Sequence, residues 1–194
     1  MKNVFSNTKK GILMVAMMAT VMGFANDGEL IVKDAKRTSL TFKNVKEGNS
    51  LTIKDANGLT LYKELIKKSG VYSKGFDLRA LPDGIYFFEL EKDVEIKTIP
   101  FSVSHNKVTF NKESETLYNK PIVVVKKDML YITKIDSNYE PFTISLFGKN
   151  SGELLYTETV TNTCVIEKVY KLKAGNYKLV LNSNNKYFTK FINN

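Results

Sequence analysis

The sequence predicts an all-β chain, arranged as two tandem antiparallel β-sandwiches behind an N-terminal export segment. Three observations carry this prediction. After residue 25 the apolar residues alternate with period two instead of recurring at helical spacing. Turn-forming clusters interrupt the alternation roughly every 8–12 residues, the rhythm of a sandwich or barrel. The chain also repeats itself at an offset of 91 residues, which sets Ile31 on Ile122, Lys36 on Lys127, Leu51-Thr-Ile53 on Phe142-Thr-Ile144 and Gly84-x-Tyr86 on Gly175-x-Tyr177.

Residues 1–25 read as a signal peptide. Lys9 and Lys10 precede an apolar run from Gly11 to Phe24, shorter than the roughly 20 residues that a membrane helix needs. Gly23-Phe24-Ala25 puts small residues where a signal peptidase reads, so cleavage is expected after Ala25. No second apolar run follows, and no integral membrane segment is expected in the mature chain. The expected location is the periplasm, the cell surface or the medium. Cys164 is the sole cysteine, so no intrachain disulfide can form. Its place in the alternating segment Cys164–Tyr170 suggests a small buried side chain in a strand.

The first unit, residues 26–104, divides into seven strands near 30–33, 39–43, 50–54, 60–65, 72–78, 85–91 and 95–102. The second, residues 121–194, gives seven near 122–125, 129–134, 142–147, 154–159, 165–172, 177–181 and 187–192. Seven short strands in about 80 residues is the count of an Ig-like sandwich. Residues 105–120 are expected to link the units, with Val108-Thr109-Phe110 offering one added strand. Asn57-Gly58 and Asn150-Ser-Gly152 mark hairpins. Leu81-Pro82-Asp83-Gly84 is a turn with proline second and glycine fourth. Pro100 cannot donate to a ladder, so its strand should be an edge or carry a bulge.

The two copies constrain each other's inner face. Tyr177, Leu179 and Leu181 match Tyr86, Phe88 and Leu90, whereas Phe87 has Lys178 as its counterpart. Phe88 is therefore expected inside and Phe87 exposed or half-exposed. Gly84, Tyr86, Gly175 and Tyr177 form a repeated Gly-x-Tyr motif that fits the tyrosine corner of Greek-key sandwiches.

Leu51-Thr-Ile-Lys-Asp-Ala-Asn-Gly58, Phe76-Asp-Leu78, Leu81-Pro-Asp-Gly-Ile-Tyr-Phe87 and Ile96-Lys-Thr-Ile99 together resemble the C-terminal sorting domain of Bacteroidetes type IX secretion cargo. The second unit keeps Leu172-Lys-Ala-Gly175-Asn-Tyr177 and Phe188-Thr-Lys-Phe191 without the Leu-Pro-Asp turn. The resemblance implies an Ig-like exported protein of the cell envelope. It also implies an alternative role, a sorting module recognised by the type IX export machinery.

Composition excludes most chemistry. Removing Lys2, Lys9 and Lys10 lowers the formal net charge from +9 to +6, and Arg37 and Arg79 are the only arginines. Nucleic-acid readers lean on arginine for bidentate contacts, so nucleic acid is not an expected partner. His105 is the only histidine, which leaves any Ser-His-Asp or Cys-His pair dependent on it. One Cys and one His are too few for a zinc site. No catalytic residue, cofactor or metal is expected. The expected function is a non-enzymatic interaction or structural module, with an envelope protein or polysaccharide as partner and no binding face assigned.

Overall fold

The computed structural model describes residues 28–32 and 38–194; the expected cleavage point at Ala25 lies outside the described residues. In the first unit, β1 (Gly28–Val32), β2 (Thr38–Val45) and β5 (Gly70–Phe76) form a sheet of order β1-β2-β5. Facing it are β3 (Ser50–Asp55), β4 (Thr60–Leu65), β6 (Gly84–Glu91), β7 (Glu95–Ser104) and β8 (Lys107–Phe110), in order β4-β3-β6-β7-β8. A further strand, β9 (Thr116–Asn119), also pairs with β7. In the second unit, β10 (Ile122–Lys126), β11 (Met129–Ile135) and β14 (Val165–Lys171) form the sheet β10-β11-β14. Opposite lie β12 (Phe142–Gly148), β13 (Leu154–Val160), β15 (Asn176–Ser183) and β16 (Lys186–Asn193), in order β13-β12-β15-β16.

The plan is the same twice. The first, second and fifth strands make one sheet; the third, fourth, sixth and seventh make the other, with antiparallel pairing throughout. This is an Ig-like sandwich in which the fourth strand lies beside the third. In the constant-type immunoglobulin order the fourth strand joins the opposite sheet.

Alternation explains the interior. Leu40, Phe42, Leu51, Ile53, Phe88, Leu90, Ile99 and Phe101 meet in the first core. Leu130, Ile132, Phe142, Ile144, Leu179 and Leu181 meet in a separate second core. Phe88 is fully buried and stacks on Phe101 with centroids 4.7 Å apart, while Phe87 faces outward and is half-buried. The first core thus places the stacked ring of Phe88 where the second places Leu179.

Four expectations need correction. Residues 105–120 do not run as a bare linker: β8, a 3-10 turn at Lys112–Ser114 and β9 attach to the first unit. Val108 and Phe110 pack into its core because β8 continues the inner face of β7. The strand carrying Pro100 is not an edge. β9 pairs with residues 95–98 and β8 with residues 101–104, so the ladder on that side breaks at Pro100, where no N–H is available. Cys164 is exposed; it precedes β14, beyond the reach of the opposite sheet, and the buried residue of its face is Ile166. At the β3–β4 hairpin only Gly58 takes a positive φ (83°), with a register shift beside it. The Asp55 carboxylate holds that turn by accepting from the N–H groups of Asn57 and Leu59.

Candidate functional site

The repeated Gly-x-Tyr motif occupies the turn into the sixth strand of each unit. The Tyr86 hydroxyl donates to the Pro82 carbonyl at 2.8 Å, and the Tyr177 hydroxyl donates to the Lys173 carbonyl at 2.9 Å. Each ring folds back over its own glycine. A Cβ at Gly175 would stand 3.3 Å from the Tyr177 hydroxyl, and one at Gly84 would stand 3.5 Å from that of Tyr86. These residues pin turns and present no free chemistry.

His105 does not build a nucleophilic site. Ser104 Oγ lies 3.0 Å from His105 Nδ1, and Asp83 Oδ2 lies 3.8 Å from the same nitrogen. A triad needs its hydroxyl and its carboxylate on opposite ring nitrogens. The imidazole is 91% exposed. His105 and Asn106 both have positive φ and make the two-residue turn between β7 and β8. Among the described residues, no three His, Cys, Asp or Glu side chains gather as a metal site would require.

Two polar constellations escape the 91-residue alignment. In the first unit, Glu64 on edge strand β4 accepts from Tyr62, from Tyr72 on β5 and from Lys74 on β5. In the second, Glu158 on β13 accepts from Tyr156, from Tyr170 on β14 and from Lys168 on β14. Each set bridges the edges of the two sheets and closes one flank of its sandwich. The ammonium of Lys74 and the neighbouring phenols hold the Glu64 carboxyl below its ordinary range. Lys168 and Tyr170 do the same for Glu158. Burial, reinforced by the Glu64 charge, pushes the Tyr72 phenol up to about 12. Burial and hydrogen bonding to Glu158 raise Tyr170 as well.

The second constellation lies where the units meet. Lys134 on β11 is only 2% exposed and pairs with Asp136. Asp136 also accepts from the Asn138 N–H at 3.0 Å. Tyr118 of β9 covers this pair: the Lys134 ammonium stands 5.1 Å from its ring centroid, and the ring stacks on Phe188 at 6.0 Å. The Tyr118 hydroxyl reaches the Ser183 carbonyl at 3.4 Å. Such a buried, paired lysine is a joint and not a reactive amine.

What remains available to other molecules is the outward surface of the sheets, and the units differ there. Two outer rows of the first unit's smaller sheet read Ile31–Ser39–Gly75 and Glu29–Thr41–Ser73, and the Thr41 and Ser73 hydroxyls are 2.9 Å apart. The same rows in the second unit read Val124–Tyr131–Val169, with Ile135 opposite Val165. All five are exposed. On the larger sheet of the first unit, Lys54 pairs with Glu89 and Lys120 with Glu91. The second unit's larger sheet shows the rows Thr159–Thr143–Asn182–Tyr187, Thr157–Ser145–Val180–Thr189 and Phe147–Lys178–Phe191. No carboxylate occurs in these rows. Tyr187 is 72% and Phe191 60% exposed. Lys149 Nζ stands 5.6 Å from the Phe191 centroid, and Lys178 Nζ 6.0 Å from that of Phe147.

No family model matches the chain, and no curated protein matches it. Among solved structures, a two-domain fibronectin type III segment of chicken tenascin is 12% identical, with a TM-score of 0.30, covering 87% of this chain and all of that one. The BSP domain of a biofilm-associated protein is 11% identical, with a TM-score of 0.27, over 86% of this chain and 29% of the other. A tetra-tandem repeat from the extending region of a large adhesion protein is 14% identical, with a TM-score of 0.27, over 84% of this chain and 48% of the other. The chain spans less than half the length of the latter two. The Ig-like assignment rests on strand order and register.

Proposed function

We propose that this chain is an exported, non-enzymatic interaction module of the bacterial cell envelope, in which the second unit makes the contact. One observation carries the reading. On the larger sheets, the first unit's outer face carries the pairs Lys54–Glu89 and Lys120–Glu91 beside exposed Leu61, Leu65 and Ile85. The second unit's carries exposed Tyr187 and Phe191, with Lys149 and Lys178 beside rings and no carboxylate in its rows. Tyr187 and Phe191 lie outside both cores, and exposed apolar surface on a water-facing sheet is a mark of contact sites. Export itself draws on the layout of residues 1–25.

The test is cosedimentation of the mature protein, residues 26–194, with envelope fragments of its source bacterium. Retention that falls on Tyr187→Ser/Phe191→Ser or on Val124→Ser/Val169→Ser supports the reading. Absence of retention, or retention indifferent to both pairs, refutes it. A sorting role draws instead on the turn Leu81–Gly84, where Asp83 accepts from the His105 N–H at 3.0 Å. Asp83→Ala would then abolish export of an otherwise folded chain, and normal export removes that alternative.

A further inference from the structure

We infer that the outward face of the sheet β13-β12-β15-β16 binds an acidic polysaccharide, laid across Tyr187 and Phe191 with its carboxylates toward Lys149 and Lys178. The inference rests on the proposed contact role of the second unit and names the ligand class for one of its faces.

Four features of the face converge on this ligand. The first is the pair of rings on edge strand β16. Tyr187 and Phe191 point the same way, four residues apart, which sets their Cα atoms about 14 Å apart at the rise of an antiparallel strand. A ring offers a flat apolar surface with a polar edge, and a pyranose presents a matching patch of C–H groups. Two such platforms on one strand suit an extended chain of sugars better than a single small molecule.

The second is what lies between the rings. Thr189 and Ser145 share a row on either side of Val180, and Asn182 stands in the next row beside Tyr187, so hydroxyl and amide groups come from three strands. Sugar hydroxyls can exchange hydrogen bonds with such groups at no cost in buried charge. A protein partner would be better served by the opposite sheet of the same unit, where the rows Val124–Tyr131–Val169 and Ile135–Val165 flank Thr133 and Glu167.

The third is charge. Lys149 and Lys178 each lie beside a ring and have no carboxylate partner among the described residues. Residues 121–194 hold ten lysines against six acidic side chains. A polymer carrying one carboxylate per sugar or two would be drawn to this side from a distance. The fourth is shape. The face is an outward, four-stranded sheet surface with its rings on the edge strand, which suits contact along the length of a chain.

The experiment is gel retardation and calorimetry of the mature protein with polygalacturonate, alginate and hyaluronate as probes. Dextran serves as a neutral polysaccharide and polyglutamate as an acidic polymer without sugar. The expected result is binding to at least one uronate polymer, weakening with salt, and neither dextran nor polyglutamate binding comparably. Tyr187→Ser/Phe191→Ser should lower affinity by about tenfold or more with an unchanged unfolding midpoint. Lys149→Gln/Lys178→Gln should lower affinity and flatten its salt dependence. Failure of all three uronates to bind overturns the inference, as does equal binding of dextran or polyglutamate, or binding unaffected by the ring substitutions. If envelope cosedimentation persists while all three polymers fail, the ligand class falls and the contact role stands. If both fail, both fall.

Discussion

The two units share a plan and differ in what they turn toward water. Inside, the same strands pair in the same order, the same tyrosine caps the turn into the sixth strand, and the same carboxylate clasp closes one flank. Outside, lysine–glutamate pairs on the first unit's larger sheet become lysine–aromatic pairs on the second. The scaffold demands only that alternate residues be apolar and that buried polar groups find partners. Outward positions are free of those demands, so folding alone does not set the difference there.

The comparison can be broken at the joint first. Lys134→Met should destabilise the second unit by about 3–5 kcal/mol, because Asp136 is left buried without its cation. Lys54→Met, which removes a partly exposed pair of the first unit, should cost at most about 1 kcal/mol. Urea unfolding of the full chain, followed by residue-resolved NMR signals of each unit, separates the two. Equal costs would mean that Lys134 is hydrated in solution.

The clasps come next. Glu64→Gln and Glu158→Gln should each cost about 1–2 kcal/mol, the range for hydrogen bonds to a charged acceptor that is not wholly buried. Both carboxyls titrate below their ordinary value in the fold. Their contribution is therefore complete above that ordinary value and disappears as pH falls through the lowered one. Tyr72 runs the other way: its raised value means stability that is complete below the ordinary phenol range and lost as pH rises through about 12. Stability against pH should show a plateau with a falling limb at each end. The double Gln variant should flatten the acid limb, and an unchanged limb would exclude the clasps as its cause.

The corners give a smaller effect. Tyr86→Phe should cost about 1 kcal/mol, and Tyr177→Phe less, because Tyr86 is buried and Tyr177 only half-buried. Smallest of all, Tyr187→Ser/Phe191→Ser should leave stability within about 0.5 kcal/mol of the parent. A larger loss would place those rings in the fold and remove the basis for a contact role.

Much of the scaffold was legible in the sequence because alternation and turns are local signals. The fourteen expected strands all form, and the pairing of Phe88 with Leu179 identified the inner face. The missed features are long-range. Tyr72-x-Lys74 and Lys168-x-Tyr170 carry the same groups in opposite order, so a fixed offset cannot align them, and only the approach of two sheet edges reveals their common role. Alternation sets Lys134 on the inner face with Leu130 and Ile132, but the cover over its charge appears only when Tyr118 arrives from β9. Cys164 continues the apolar face of β14 by parity, but parity holds only where an opposite sheet exists. The proposed contact surface was likewise hidden. Tyr187 and Phe191 alternate like core residues, and their outward direction follows from the burial of Ile192 on the other side of the same strand.

The path of β9 governs how this polypeptide could be divided. A fragment stopped after Ser104 would forfeit Val108 and Phe110 and leave the first sandwich with an open side. Extending it through Lys120 would restore that side but strand Tyr118 in water. A second half started at Pro121 would meet solvent with the Lys134 ammonium and Phe188 unroofed. Whichever peptide bond is cut, one product inherits an exposed ring or a bared cation, so the halves are unequal as separate proteins.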